Sequence, residues 1–277
     1  MKLLEGKVTL ITGASRGIGR GIALALAQHG SAVAFTYLSS PEKGAELEKE
    51  LATFGVKAKG YRSDAADYKA AEELIASVLA DFGKIDVVVN NAGITRDNLL
   101  MRMSEEHFDE VVRTNLKSVF NITKAVQKTM LKERKGSIIN ISSTLAMVAD
   151  GLNAHYCASK AAVRHFTKAA ALYCADRRYN IRVNSVHPGP IDDQGLAMVG
   201  VNLGEKAEKA VPFARKLGLS FPMLMDPEGA AREGYAVFSG LPVTAVVDRK
   251  GRLRHRVAGP LTGEALRALV EPLLRES

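Results

Sequence analysis

Two apolar patterns alternate along the first two thirds of the chain. Short, nearly continuous apolar runs such as Val8–Ile11, Ala32–Thr36, Ile85–Val89 and Ser137–Ile141 are separated by longer stretches whose apolar residues recur every three or four positions. Continuous runs suit strands buried on both faces, and the longer period suits helices packed over them. Read in order, the pattern predicts strands at 7–11, 32–36, 57–61, 85–89, 137–141 and 180–186. It predicts helices at 20–29, 41–54, 67–82, 105–133 and from about 153 to 178. Strands and helices alternating at this spacing predict an α/β fold, a Rossmann-type doubly wound parallel sheet covered on both faces. One position fits its helix badly. Asn115 falls in the middle of 105–133, where asparagine is a mediocre helix former, and it predicts a kink that turns the side chain inward.

Beyond residue 193 the pattern changes without a linker. Strands are predicted at 195–203 and 221–225 and helices at 205–217 and 228–238. A hairpin follows through 240–251 into 252–258. A last helix spans 262–274, with Thr262 as its N-cap candidate. The chain thus divides into 1–193 and 194–277, with the second part predicted to pack on the first. Too few residues separate strands 180–186 and 196–203 for a parallel crossover, so strand 243–248 is predicted to lie beside 180–186 and complete the sheet.

Composition narrows the function classes. At 277 residues the chain has room for one large domain or two smaller ones. The net charge of +8 permits acidic partners or polyanionic cofactors. No basic arm or recognition motif accompanies it, so nucleic acid is not an expected partner. The basic run from Arg249 to Arg256 reads as a solvated hairpin edge. No apolar run is long enough to cross a bilayer, and the N-terminus enters a strand at once, which points to a cytoplasmic protein without membrane partners. Cys157 and Cys174 stand too far apart on one helix to pair and are read as reduced.

The chemistry begins at Thr12-Gly13-Ala14-Ser15-Arg16-Gly17-Ile18-Gly19, between a strand and a helix. Glycines let the backbone approach a pyrophosphate, and the helix N-terminus offers free N–H groups and positive potential. After the second strand, Tyr37-Leu38-Ser39-Ser40 lacks the carboxylate that would bind an adenosine ribose, while Arg16 lies near enough to pair with a 2′-phosphate. This favours NADP(H) over NAD(H). Further along, Tyr156 and Lys160 are four apart and share a helix face. A free tyrosine, with a pKa of about 10, is a poor acid or base at neutral pH, and a nearby ammonium is expected to bring it toward the working range. Ser143 closes the strand upstream, where its hydroxyl can hold a carbonyl oxygen. Tyr-x-x-x-Lys by itself is as often a surface pair on an ordinary helix.

Together with Asn90-Asn91-Ala92-Gly93 and Pro188-Gly189, these motifs resemble the short-chain dehydrogenase/reductase superfamily over residues 1–192. The stretch Asn91–Ser104 is similar to 3-oxoacyl-[acyl-carrier-protein] reductases, whereas Ala171–Ala175 and Tyr179–Gly189 look more like relatives that oxidise cyclic alcohols or hydroxysteroids. The resemblance implies that Ser143 orients the substrate carbonyl and that Tyr156 is the acid/base. It implies that Lys160 also holds the nicotinamide ribose and that Asn115 carries a proton-relaying water. Gly13, Ser15, Arg16, Gly17, Ile18 and Gly19 would hold the phosphates, Asp64 the adenine, and Asn91 the cofactor side of the fourth strand. Pro188, Gly189 and Ile191 would line the nicotinamide pocket. Asp193 stands where the family usually places Thr on the carboxamide, which puts the cofactor's orientation in question.

The family's usual ending is absent after Gln194. Residues 194–277 resemble instead the later two thirds of thioredoxin-like thiol–disulfide and peroxiredoxin-related proteins, through Gly240-Leu-Pro242 and Asp248-x-x-Gly251. No cysteine follows Cys174, so a thiol redox role for this segment is not expected. The function implied is NADPH-dependent reduction of a ketone, a 3-oxoacyl thioester or similar, small-molecule or carrier-bound. The alternative is a chimeric dinucleotide-binding protein with little turnover, its native substrate lid replaced. A homodimer through the helices from Glu105 and Asn153 is implied in place of the family's usual tetramer.

Overall fold

The computed structural model describes residues 2–189, 200–203, 223–226, 243–247, 253–258 and 268–269. The chain divides into two compact units, Met1–Pro188 and Gly189–Ser277. In the first, β1 (Val8–Ile11), β2 (Ala32–Tyr37), β3 (Ala58–Arg62), β4 (Val87–Asn90), β5 (Gly136–Ile141) and β6 (Ile181–Val186) form one sheet in the order β3-β2-β1-β4-β5-β6. Every neighbouring pair is parallel. The strands therefore need crossovers, supplied by α1 (Gly17–Gln28), α2 (Pro41–Ala52), α3 (Tyr68–Phe82), α4 (Glu105–Val112), α5 (Ser118–Glu133) and α6 (Ala154–Asp176).

Alternation along the strands feeds two cores, one on each face. Leu10, Ala34, Val88, Ile138 and Val183 pack with Leu74 and Val78 of α3 and Ile122, Val126 and Met130 of α5. Their neighbours Ile11, Val33, Phe35, Val89 and Ile141 pack with Ala23 and Ala27 of α1 and Leu47 and Leu51 of α2. This explains why the central strands read as unbroken apolar runs. On β6, Ile181 and Val183 are buried while Arg182, Asn184 and Val186 are exposed.

Local chemistry sets the ends. Asp67 caps α3 by accepting from Ala70 N–H at 2.8 Å, and Ser104 caps α4 through His107 N–H at 3.2 Å. Gly83 closes α3 in the left-handed region. Helix α1 begins at Gly17, three residues before the expected start, because the glycines of the loop are themselves the first turn. The expected kink at Asn115 is a π-helical turn, Arg113–Lys117, set between α4 and α5.

In the second unit, β7 (Gly200–Leu203) pairs with β8 (Met223–Asp226) in parallel, and β9 (Val243–Val247) pairs with β10 (Leu253–Ala258) as an antiparallel hairpin. The hairpin agrees with the sequence expectation. The placing of strand 243–248 beside 180–186 does not hold: β9 hydrogen-bonds β10 in a sheet of its own, and β6 bonds β5. The expected helices at 205–217 and 228–238, Pro242 and most of the last helix lie outside the described residues.

Candidate active site

In an open parallel sheet, ligands bind at the carboxyl ends of the strands where the strand order reverses, here between β1 and β4. The loop after β1 is braced there from both sides. Gly13 N–H donates to Thr36 Oγ1 at 3.0 Å, and Thr12 Oγ1 accepts the N–H groups of Asn91 and Ala92, both at 3.0 Å. Asn91 Nδ2 donates to the carbonyls of Thr12 and Gly13 at 3.0 and 2.9 Å, so this side chain holds the loop in shape. A Cβ on Gly19 would lie 2.5 Å from Asn91 Nδ2 and 2.7 Å from the Gly13 carbonyl oxygen, and no side chain fits. Gly13 and Gly17 have φ of +64° and +55°.

Arg16 stands at the N-cap of α1 without capping it through its side chain, and the first turn carries no acidic residue. The first N–H groups of α1 therefore open toward the switch point, with Ser15 half-buried and Arg16 and Ile18 exposed beside them. A glycine cradle at a helix N-terminus suits a pyrophosphate, so the residues present fit a nicotinamide dinucleotide. Asp64, expected at the adenine, already accepts from Ala66 N–H at 2.9 Å and pairs with Arg113 at 2.9 Å. Leu38, at the end of β2, is 56% exposed.

The sequence-predicted reacting groups lie beside this loop. Ser143 follows β5 by two residues and caps the 3-10 turn Thr144–Ala146, its Oγ accepting Leu145 N–H at 3.1 Å. Tyr156 and Lys160 lie one turn apart on α6, and Ser142 Oγ ties strand to helix by donating to the Lys160 carbonyl at 2.9 Å. Lys160 is 4% exposed, donates from Nζ to the Ile141 carbonyl at 2.8 Å, and lies 5.7 Å from the Tyr156 ring centre.

Asn115 is fully buried, with Oδ1 accepting Ile94 N–H at 2.8 Å and Nδ2 donating to the Ile94 carbonyl and to Ser159 Oγ, both at 3.0 Å. Ser159 in turn donates to the Tyr156 carbonyl at 2.8 Å. The π turn thus clamps the loop after β4 to the helix that carries Tyr156. Gly93 lies between them, where a Cβ would come within 3.2 Å of Asn115 Oδ1 and 3.4 Å of Lys160 Nζ.

The electrostatics correct one expectation. Burial brings the Lys160 ammonium down to about 8. Tyr156 does not fall toward neutrality: burial pushes its phenol up, a hydrogen bond from Ser143 pulls it down by less, and electrostatic interaction with Cys157 and Asp97 pushes it up further. The Lys160 ammonium lies 5.7 Å from the Tyr156 ring centre and is bonded to the Ile141 carbonyl, and burial of the phenol is the larger effect. A phenol kept protonated at neutral pH is a proton donor, the role that ketone reduction requires.

Sequence reasoning passed over His187. Its Nδ1 is 3.2 Å from the Ser143 carbonyl oxygen and its Nε2 is 2.9 Å from Ser185 Oγ. The available signal was its place directly before Pro188-Gly189. Pro188 carries the carbonyl that accepts Thr144 N–H at 2.9 Å, and Gly189 is half-buried beside it. Ile191 and Asp193 lie outside the described residues.

A Rossmann-type sheet with a glycine cradle and a Ser-Tyr-Lys constellation defines a dinucleotide-dependent oxidoreductase. The chain belongs to the short chain dehydrogenase family, whose model matches residues 7–200. It is 44% identical over 209 residues to 3-oxoacyl-[acyl-carrier-protein] reductase FabG of Staphylococcus aureus (strain Mu50 / ATCC 700699), covering 76% of this chain and 84% of that one. To the reductase of the same name from Escherichia coli (strain K12) it is 45% identical over 188 residues, 68% of this chain and 75% of the other.

Among solved structures, NAD+-bound xylitol dehydrogenase superimposes with a TM-score of 0.65 at 31% identity, covering 85% of this chain and 86% of its own. A short-chain type dehydrogenase/reductase from Mycobacterium marinum gives 0.64 at 37% identity, covering 67% and 75%. The chain is accordingly an NAD(P)-dependent oxidoreductase acting on a CH–OH or keto group, with a 3-oxoacyl-[acyl-carrier-protein] reductase-like N-terminal part.

The AhpC/TSA family model matches residues 166–256, in keeping with a thioredoxin-like C-terminal part. That match begins inside α6 and includes Cys174. This thiol is 4% exposed within the first unit's core, and burial pushes its pKa up, the opposite of an activated cysteine.

Proposed function

We propose that the protein is an NADPH-dependent short-chain reductase that converts a ketone, a 3-oxoacyl thioester or a similar small-molecule or carrier-bound substrate, to a secondary alcohol. The observation that carries this reading is the convergence of Ser143, Tyr156, Lys160 and Asn115 beside the glycine cradle, with the Tyr156 phenol biased toward its protonated form. The bound dinucleotide supplies hydride. Ser143 orients the substrate carbonyl, Tyr156 gives the proton to its oxygen, and Lys160 lends positive charge behind the phenol. Arg16 and the lack of a carboxylate after β2 support NADPH over NADH. The catalytic groups all fall within 1–193. Phe120 on α5 and Leu172 and Tyr173 on α6 are exposed aromatic and aliphatic groups that support a homodimer through these helices. The setting proposed is cytoplasmic.

A second reading rests on the overlap of the two family matches over residues 166–200. There the chain is a dinucleotide-binding protein with little turnover, because a thioredoxin-like ending of 194–277 replaces the substrate lid. One experiment separates the two: NADPH oxidation measured across a panel of ketones, including 3-oxoacyl thioesters, alongside NADPH binding. Ketone-dependent oxidation supports the reductase. Tight NADPH binding with no turnover on any ketone supports the second reading, and no binding of either nucleotide overturns both.

A further inference from the structure

We infer that His187 is a positioning residue for the catalytic serine, fixing the Ser143 main chain so that its hydroxyl stays directed at Tyr156. The inference rests on the reading of Ser143 and Tyr156 as the reacting pair. Residues 142–144 and 186–188 run side by side past the end of the sheet: Ser142 N–H bonds the Val186 carbonyl at 2.8 Å and Thr144 N–H bonds the Pro188 carbonyl at 2.9 Å. Ser143 lies between these two bonds, and His187 Nδ1 sits 3.2 Å from its carbonyl oxygen.

A carbonyl only accepts, so Nδ1 carries the proton. In a neutral ring Nε2 is then an acceptor, and it lies 2.9 Å from Ser185 Oγ, which donates to it. The tautomer is therefore set at both ends. On the far side, Ser143 Oγ accepts Leu145 N–H at 3.1 Å, and the Ser143 side chain holds the Tyr156 phenol's pKa down against burial. Two bonds thus run in series, Ser185 O–H to His187 Nε2 and His187 Nδ1–H to Ser143 O, ending on the residue whose side chain acts on Tyr156. Nothing in this series reaches the substrate through His187 itself.

Without the Nδ1 donor the Ser143–Thr144 peptide keeps only the Thr144 N–H bond to the Pro188 carbonyl, and the Ser143 main chain that carries Oγ can shift relative to the phenol. Misplacement of a catalytic group by even about 1 Å is costly to turnover. A space-filling role alone would make no distinction between substitutes of similar size.

The test uses His187→Leu, which keeps bulk without a donor, and His187→Asn, whose Nδ2–H can stand where Nδ1–H stood. His187→Leu should lower kcat about 3- to 10-fold, the worth of one hydrogen bond, with the KM for NADPH unchanged. His187→Asn should recover kcat to within about twofold of the parent. Parental kcat in His187→Leu, or equal loss in both variants, overturns the inference. A second readout does not need turnover. The ultraviolet ionisation of Tyr156, taken as the difference between each protein and its Tyr156→Phe version, should move up in His187→Leu and stay in place in His187→Asn. If the parent reduces no ketone, the functional reading fails, and the phenol titration still decides this one: an unmoved phenol in His187→Leu overturns it.

Discussion

Lys160 is held at a cost to stability, and Lys160→Met should expose that cost. Burial lowers the ammonium from its ordinary 10.5 to about 8. At 1.36 kcal/mol per pH unit, keeping it charged in the folded protein costs about 3 kcal/mol. Methionine has similar reach and no charge, but it leaves the Ile141 carbonyl without the 2.8 Å bond it receives from Nζ, a loss of about 1 kcal/mol. The variant should therefore be more stable by about 2 kcal/mol at pH 7, and inactive.

The pH dependence gives the sharper check. Because the folded pKa lies below the unfolded one, the lysine is charged in both states below pH 8 and the full cost is present. Between about 8 and 10.5 the folded protein releases its proton first, so the parent gains stability relative to the variant as pH rises. Urea unfolding followed by circular dichroism at pH 7 and at pH 10 measures both numbers. A variant less stable than the parent at pH 7, or a difference that does not shrink at pH 10, refutes the reasoning.

Tyr156→Phe should leave NADPH binding nearly intact and lower turnover by about 10²–10⁴, the range for a general acid; steady-state kinetics with fluorescence titration of NADPH checks both. Leu38→Asp should move the NADPH-to-NADH preference toward NADH by about tenfold, one like-charge contact of about 1.4 kcal/mol, as read from the ratio of kcat/KM values. Gly19→Ala should lower stability by about 1–3 kcal/mol and abolish dinucleotide binding, because its Cβ would meet Asn91 Nδ2 and the Gly13 carbonyl; a melting curve and a binding titration show whether both occur.

The elements of the first unit were legible because burial on both sheet faces leaves an unbroken apolar signature in β1, β2 and β4. The π turn was legible too at Asn115, where a poor helix former marked it. What escaped the sequence was pairing across the fold. Asn91 reads as a ligand-facing residue, and only the register of β1 beside β4 shows its amide bonded to Thr12 and Gly13. Asp64 meets Arg113 from 49 residues away. The direction of the Tyr156 shift depends on how deeply the ring is buried, which an i,i+4 spacing does not encode. His187 was hidden for the same reason: its partner is a main-chain carbonyl 44 residues upstream. The β9–β10 hairpin was legible from its turn, whereas the expected pairing of strand 243–248 with 180–186 had no local signal and is not seen among the described residues.

The π turn at Arg113–Lys117 also bears on how the chain responds to insertion and deletion. A π turn holds one residue more than the α-helical turn it replaces, so α4 and α5 keep a common phase across it. Deleting one residue at the start of α5, before Ile122, would rotate everything downstream by about 100°, withdrawing Ile122, Val126 and Met130 from the core. Deleting Asn115 instead lets the wide turn close to an ordinary helix with α5 in its old phase. The helical layer survives, but Ile94 and Ser159 lose the side chain that joins them. A single codon lost at this one place therefore keeps the fold while untying the loop after β4 from α6.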